Sequence, residues 1–178
     1  MGAKGIQRFH CSRCPHRLTY LKGEPRQEGY IVLQFGQQYC TAGKKYRMFK
    51  KKDPKIYPPN WCPKLKKPCE FRVYDFKDAN TWYLHTLLKR KSPPDGYQYA
   101  VRLSGTVNLT PSAFFSMSKR KGASELLGVM VKIGEIVEID DGLTSNCFYL
   151  TLSGVKYLPY WDTARARKNE YACKNSDN

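Results

Sequence analysis

Cys11, Cys14, Cys40 and Cys62 are the side chains whose type and spacing point most directly to chemistry. In Cys11-Ser12-Arg13-Cys14 two thiolates can fold back on one tetrahedral ion while the turn between them aims backbone N–H groups at the sulfurs, and Zn²⁺ best suits such ligands. Cys40, ahead of Thr41-Ala42-Gly43, and Cys62, between Trp61 and Pro63, each stand at a turn and close the set. The gaps of about two dozen residues fit a ribbon with long loops. Cys69 competes with Cys62 for the fourth place, and His10 and His16 compete more weakly. Cys147, in an apolar run, and Cys173, in the polar C-terminal segment, read as structural. Scattered free thiols or a disulfide set are the alternatives. No apolar signal-peptide core precedes the motif and seven cysteines leave one unpaired, so the expectation is a structural zinc site in a soluble, cytoplasmic protein.

Charge is the second signal. Lys and Arg number 31 against 15 Asp and Glu, a net charge of +16 that exceeds what solubility requires. The excess is uneven: residues 1–70 hold 16 basic and 4 acidic side chains, residues 71–178 hold 15 and 11. A polyanionic partner for the cysteine-bearing part follows. Within it, Lys44, Lys45, Arg47, Lys50, Lys51, Lys52 and Lys55 interleave with Tyr46, Phe49 and Tyr57, and Lys64, Lys66 and Lys67 follow Cys62. The cations can track a phosphate backbone, and Tyr46, Phe49 or Tyr57 can stack on unpaired bases. The alternative is a solvated loop whose aromatics pack beneath the cysteines, with two or three cations neutralising a thiolate-bound metal.

The elements that position these residues change in character near Cys69. Glu70–Phe76 alternates apolar and polar side chains as a strand does, and Asp78 caps a helix through Trp82, Leu84, His85, Leu87 and Leu88 that ends in Lys89-Arg90-Lys91. Ser92-Pro93-Pro94-Asp95-Gly96 turns the chain into a strand over Tyr97–Leu109. Thr110-Pro111 opens a helix over Ser112–Lys119, and Ser124–Leu127 adds a helical turn. A β-branched strand over Val129–Ile139, the turn Asp140-Asp141-Gly142, a return strand Asn146–Leu152 and one more over Val155–Trp161 complete the pattern. The order predicts an α+β fold: a zinc-stapled basic module, residues 1–69, packed against a mixed or antiparallel sheet with two helices on one face, residues 70–163, and a fraying polar tail, residues 164–178. No apolar run approaches the roughly 20 residues a bilayer crossing needs, so no membrane partner is expected.

Signatures of catalysis are missing. There is no P-loop, no Gly-x-Ser-x-Gly and no zinc-deaminase pattern. His85 sits where a helix places it toward the apolar face. Glu135, Glu138, Asp140 and Asp141 cluster in sequence, but strand alternation separates neighbours and the aspartates suit a turn. A metal-dependent nuclease would need those acids gathered around Mg²⁺.

The run Cys11-x-x-Cys14-Pro15, a lone Cys40, and Pro59-Asn60-Trp61-Cys62-Pro63 resembles small uncharacterised cysteine-motif proteins of bacterial phages and mobile elements, over the first 70 residues. The resemblance implies zinc ligation by Cys11, Cys14, Cys40 and Cys62, leaves Cys69 outside the site, and carries no activity. The expected function is non-enzymatic binding of a DNA or RNA backbone, or of a host nucleoprotein, with no small-molecule substrate. The alternatives are inhibition of a host RNA-guided nuclease, as an anti-CRISPR protein does, and a metal-dependent nuclease.

Overall fold

Short strands separated by charged loops characterise the first part of the chain, and longer strands of strict alternation the second. The computed structural model describes residues 6, 8–20, 23–25, 31–33, 36–86 and 95–174. It divides into two units, residues 8–65 on the one hand and residues 1–7 with 66–178 on the other. Thirteen basic and three acidic side chains fall in residues 8–65, a net charge of +10.

The 8–65 unit opens with a 3-10 turn at Cys11–Arg13, followed by β1 (Arg17–Tyr20), β2 (Gly23–Pro25), β3 (Ile31–Leu33), β4 (Gln37–Cys40) and β5 (Arg47–Met48). Strands β1, β4 and β5 form an antiparallel sheet in that order, and β2 pairs with β3. Among the residues with described side chains, Cys11, Cys40 and Phe49 form a buried cluster, with Ala42 and Trp61 packed against them.

The second unit is built on β6 (Cys69–Phe76), β7 (Tyr99–Val107), β8 (Ile136–Asp140), β9 (Ser145–Thr151) and β10 (Gly154–Leu158), with helices α1 (Ala79–Thr86), α2 (Pro111–Met117), α3 (Ala123–Leu127) and α4 (Thr163–Lys174). The sheet order is β10-β9-β8-β6-β7, every pair antiparallel. The fold is therefore α+β. Alternation along β6, β8 and β9 sends Cys69, Phe71, Val73, Val137, Ile139, Phe148 and Leu150 to one face, where Phe114 of α2 and Ala123 and Leu127 of α3 cover them. Each large apolar side chain so buried contributes about 2–3 kcal/mol. Asp78 caps α1 as its position predicts, accepting from Thr81 N–H at 2.7 Å, and Thr110 caps α2 by accepting from Ala113 N–H at 3.2 Å.

Three expectations change. Helices cover both faces of the sheet, because Tyr74, Ile136 and Cys147 on the second face meet Tyr99 and Ala166 of α4, with Trp161 against them. Of residues 164–178, expected to fray, those up to Lys174 belong to α4 (Thr163–Lys174). Asp162 accepts from Arg165 N–H at its first turn, and Asn169 donates to Tyr99 O at 2.6 Å. The strand expected from Val129 begins only at Ile136, since Gly134 adopts φ +92° and Glu135 N–H closes a turn onto Lys132 O. The expected helix residues Leu87 to Lys91 and the turn residues Ser92 to Pro94 lie outside the described residues. No helix among the described residues is long and apolar enough to cross a membrane.

Candidate functional site

The cysteines of the 8–65 unit occupy two turns and a strand end. Cys14 N–H donates to Cys11 O at 3.1 Å, closing the C-x-x-C turn, and Cys62 N–H donates to Pro59 O at 2.9 Å. Cys40 ends β4 and packs in one small core with Cys11. Cys11 lies within electrostatic reach of Cys14 and Cys62. Cys11 thus has Cys14, Cys40 and Cys62 in its neighbourhood, and all six cysteines with described side chains are free thiols. Among the described residues, however, no group of three or more His, Cys, Asp or Glu side chains is arranged to hold a metal ion. The described side chains as placed do not form a zinc site. Burial pushes the Cys11 thiol above its ordinary value, partly opposed by the Arg17 guanidinium beside it.

Cys69, the competing ligand, is spent elsewhere: it sits at the start of β6 among Phe71 and Val73, its Sγ 3.7 Å from Lys66 O. An apolar alternating position decides its fate. His10 packs edge-on against Tyr57, ring centroids 5.6 Å apart, and His16 contributes its carbonyl to Thr41 N–H at 2.9 Å.

Arg17 organises this unit. Its guanidinium donates to Lys55 O at 2.7 Å and to Gln38 Oε1, lies 4.5 Å from the Phe49 ring centroid, and stands beside the Cys11 thiol. A single side chain thereby joins the C-x-x-C turn, the β-sheet and the basic loop. Hydrogen bonds made by a charged donor are worth about 1.5–3 kcal/mol, and cation–π contact about 0.5–1 kcal/mol more. Arg17→Ala is expected to cost about 2 kcal/mol after water replaces some of these partners. Amides of Cys14, Thr41 and Phe49 should exchange with deuterium about 30-fold faster. Unchanged exchange would show that Arg17 is a bystander.

The basic loop is held, not floppy. Phe49 N–H bonds Gln38 O at 2.9 Å, Ser12 N–H bonds Ile56 O at 3.3 Å, and Asp53 accepts from Lys50 N–H at 2.8 Å and from the Trp61 indole at 3.1 Å. The Lys50 N–H bond, with Trp61 and the nearby cations, keeps the Asp53 carboxyl below its ordinary value. Lys44, Lys45, Arg47, Lys50, Lys51, Lys52, Lys55 and Lys64 are all exposed, and none forms an ion pair among the described residues. Tyr46 is 76% exposed. Phe49 corrects the sequence reading: only 8% exposed, it packs on Trp61 with ring centroids 5.1 Å apart and lies under Arg17, so it offers no face to a base. Tyr57 is shared with His10 and with Arg8, whose guanidinium is 5.3 Å from its centroid. Lys66 and Lys67 belong to the other unit, where Lys66 pairs with Glu70 at 2.9 Å and Asp140 at 3.8 Å and spends its charge there.

In the sheet unit, sequence reasoning missed a buried charge network. Glu138, 0% exposed on the second face, accepts from Tyr74 Oη at 2.5 Å and from Ser145 and Arg167, while Arg72 Nη1 lies 3.6 Å away. Burial and the Glu138 charge push the Tyr74 phenol far up, so it stays a donor. Burial works against the Arg167 charge, yet its bonds to Tyr74 and Glu138 push its pKa up. Glu135, equally buried, binds Arg102 through two bonds of 2.6 and 3.0 Å. Arg102 is the extra residue where β7 slips register against β6 between Val73 and Tyr74, and that bulge aims it at Glu135. Asp140 and Asp141 accept from Gly142, Leu143 and Thr144 N–H groups, as turn aspartates do. The four acids a nuclease reading would gather are thus dispersed among arginines and turns.

A scan against protein-family models, a search of curated proteins and a search of solved structures each give no match.

Proposed function

We propose that residues 8–65 bind the phosphate backbone of nucleic acid, with Lys44, Lys45, Arg47, Lys50, Lys51, Lys52, Lys55 and Lys64 as the contacting cations, and that Cys11, Cys14, Cys40 and Cys62 take a structural zinc ion. The carrying observation is that these eight cations are exposed, without ion-pair partners among the described residues, on and beside a loop fixed by backbone and side-chain hydrogen bonds. A charge cluster serving only to neutralise its own unit would pair with acids, and the unit has three acids against thirteen bases. Tyr46 beside Lys45 and Arg47 favours strands with unpaired bases, on which its ring can stack.

Binding of a single-stranded oligonucleotide, followed by fluorescence anisotropy from low to moderate salt, tests the reading. Engagement of six to eight phosphates gives a plot of log K against log salt with a slope of about −4 to −6. Absence of binding to naked nucleic acid at low salt overturns the proposal and leaves nucleoprotein recognition as the surviving alternative. For the metal, elemental analysis should find about one zinc per chain, lost in Cys14→Ser. Zinc-free protein with an intact loop would mean that Arg17 and its partners suffice.

A further inference from the structure

We infer that the sheet unit carries a second ligand site, a cleft beside the end of β6 that takes a nucleobase bearing a phosphate. Strand β8 begins at Ile136, opposite Tyr74, whereas β6 runs on to Phe76 paired only with β7. The side of β6 that β8 leaves uncovered opens into a cleft of about 410 Å³, lined by Asp75, Phe76, Lys77, Trp82, Lys132 and Ile133 among others. That volume falls within the range of small-molecule sites.

Its lining is unusual within this chain. Among the described residues Trp61 packs on Phe49, and Trp161 on Tyr74 and Tyr99, but Trp82 meets no other ring and is 37% exposed. Phe76 cannot play the same part, because Tyr99 at 4.3 Å and His85 at 5.9 Å occupy it. Lys77 and Lys132 are exposed and form no ion pair among the described residues. Both oxygens of the nearby Asp78 are spent on Thr81. Asp75 uses one oxygen to accept from Phe76 N–H at 2.8 Å, and no hydrogen bond to the other is found among the described residues.

A free indole, two free ammonium groups and one open carboxylate oxygen complement a flat ring, a phosphate and an amino donor on the ring edge. Cytosine, adenine and guanine carry such an exocyclic amino group, whereas uracil offers only its ring N3–H, so contact through the amino group favours cytosine over uracil. The site lies in the sheet unit and shares no residue with the basic loop.

The test is titration of the full chain with CMP and UMP, and with short oligo(C) and oligo(U) in the background of Lys50, Lys51, Lys52 and Lys55 replaced by alanine, so that binding by the loop is weakened. Tryptophan fluorescence should quench, CMP or oligo(C) should bind about tenfold more tightly than its uracil counterpart, and Trp82→Ala should weaken binding about tenfold or more. The exposed pair Lys77→Ala with Lys132→Ala should weaken it without disturbing the fold. Saturable binding of CMP assigns the ligand as a free nucleotide; binding of oligo(C) alone assigns it as an unpaired residue of a strand. Absence of binding in both arms, or binding indifferent to Trp82 and to the two lysines, overturns the inference.

Discussion

If residues 8–65 bind a phosphate backbone as proposed, replacing Lys50, Lys51, Lys52 and Lys55 together with alanine should lower affinity for a single-stranded oligonucleotide by about two orders of magnitude at physiological salt. Each phosphate contact on a single strand contributes about 0.7 to the slope of log K against log salt, so four lost contacts flatten that slope by about 3 and weaken binding by roughly 200-fold near 0.15 M salt. All four side chains are exposed and none is in an ion pair among the described residues, so their loss leaves the loop's own hydrogen bonds intact. The bonds that fix the loop come from Lys50 N–H, Lys55 O and Asp53, which alanine at the four positions preserves. Circular dichroism should therefore be unchanged while binding collapses. A slope equal to that of the unaltered protein would remove this loop from the interface.

The same physics separates the loop's cations from those outside it. Lys66 has the same intrinsic charge as Lys64, yet Glu70 and Asp140 beside it already supply the negative partners a phosphate would provide. A phosphate approaching Lys66 must compete with two carboxylates, whereas one approaching Lys50 or Lys51 displaces only water and counterions. Proximity in sequence to a basic cluster is thus a poor guide to availability, and pairing decides it.

What the sequence made legible was local. Asp78 and Thr110 cap helices because short polar side chains ahead of a helical run accept orphan N–H groups, and Asp140-Asp141-Gly142 turns the chain with Gly142 at φ +84°. Alternation located β6, β9 and β10 to within three residues at each end. The turns at Cys11–Cys14 and at Cys62 were readable from the residues around them, and Arg17 was not: its partners Gln38, Phe49 and Lys55 are brought to it only by the folded sheet and loop. Phe49 looked like Tyr46 in sequence, both being aromatics among cations, but β5 pairing with β4 turns Phe49 inward. Helix α4 escaped notice because its described inward contacts come from a small Ala166 and from Arg167 and Asn169, so it has no apolar stripe to betray it. Without that helix, the second face of the sheet reads as solvent and Glu138 as an exposed residue.

Glu138→Ala should accordingly cost the sheet unit about 3 kcal/mol. Removing one partner of a buried ion pair typically costs about 3–5 kcal/mol, because the remaining charge is left desolvated and uncompensated. The lower end applies: Arg167, with 38% of its side chain exposed, can swing toward water, whereas Arg72 is less exposed and Tyr74 cannot move out at all. Tyr74 then keeps a buried phenol that has lost its acceptor, with no other hydrogen-bond acceptor for it among the described residues, and Ser145 loses its acceptor as well. Glu138→Gln retains volume and an acceptor oxygen and should cost less than half as much. Because the chain comprises two units, a single global midpoint mixes their transitions. Hydrogen exchange at the amides of β8 and β9 resolves them, and there Glu138→Ala should accelerate exchange by about two orders of magnitude. Amides of α4 should respond as well, since Arg167 ties that helix to the sheet. A variant within about 1 kcal/mol of the unaltered protein would mean that the two arginines are held by solvent instead.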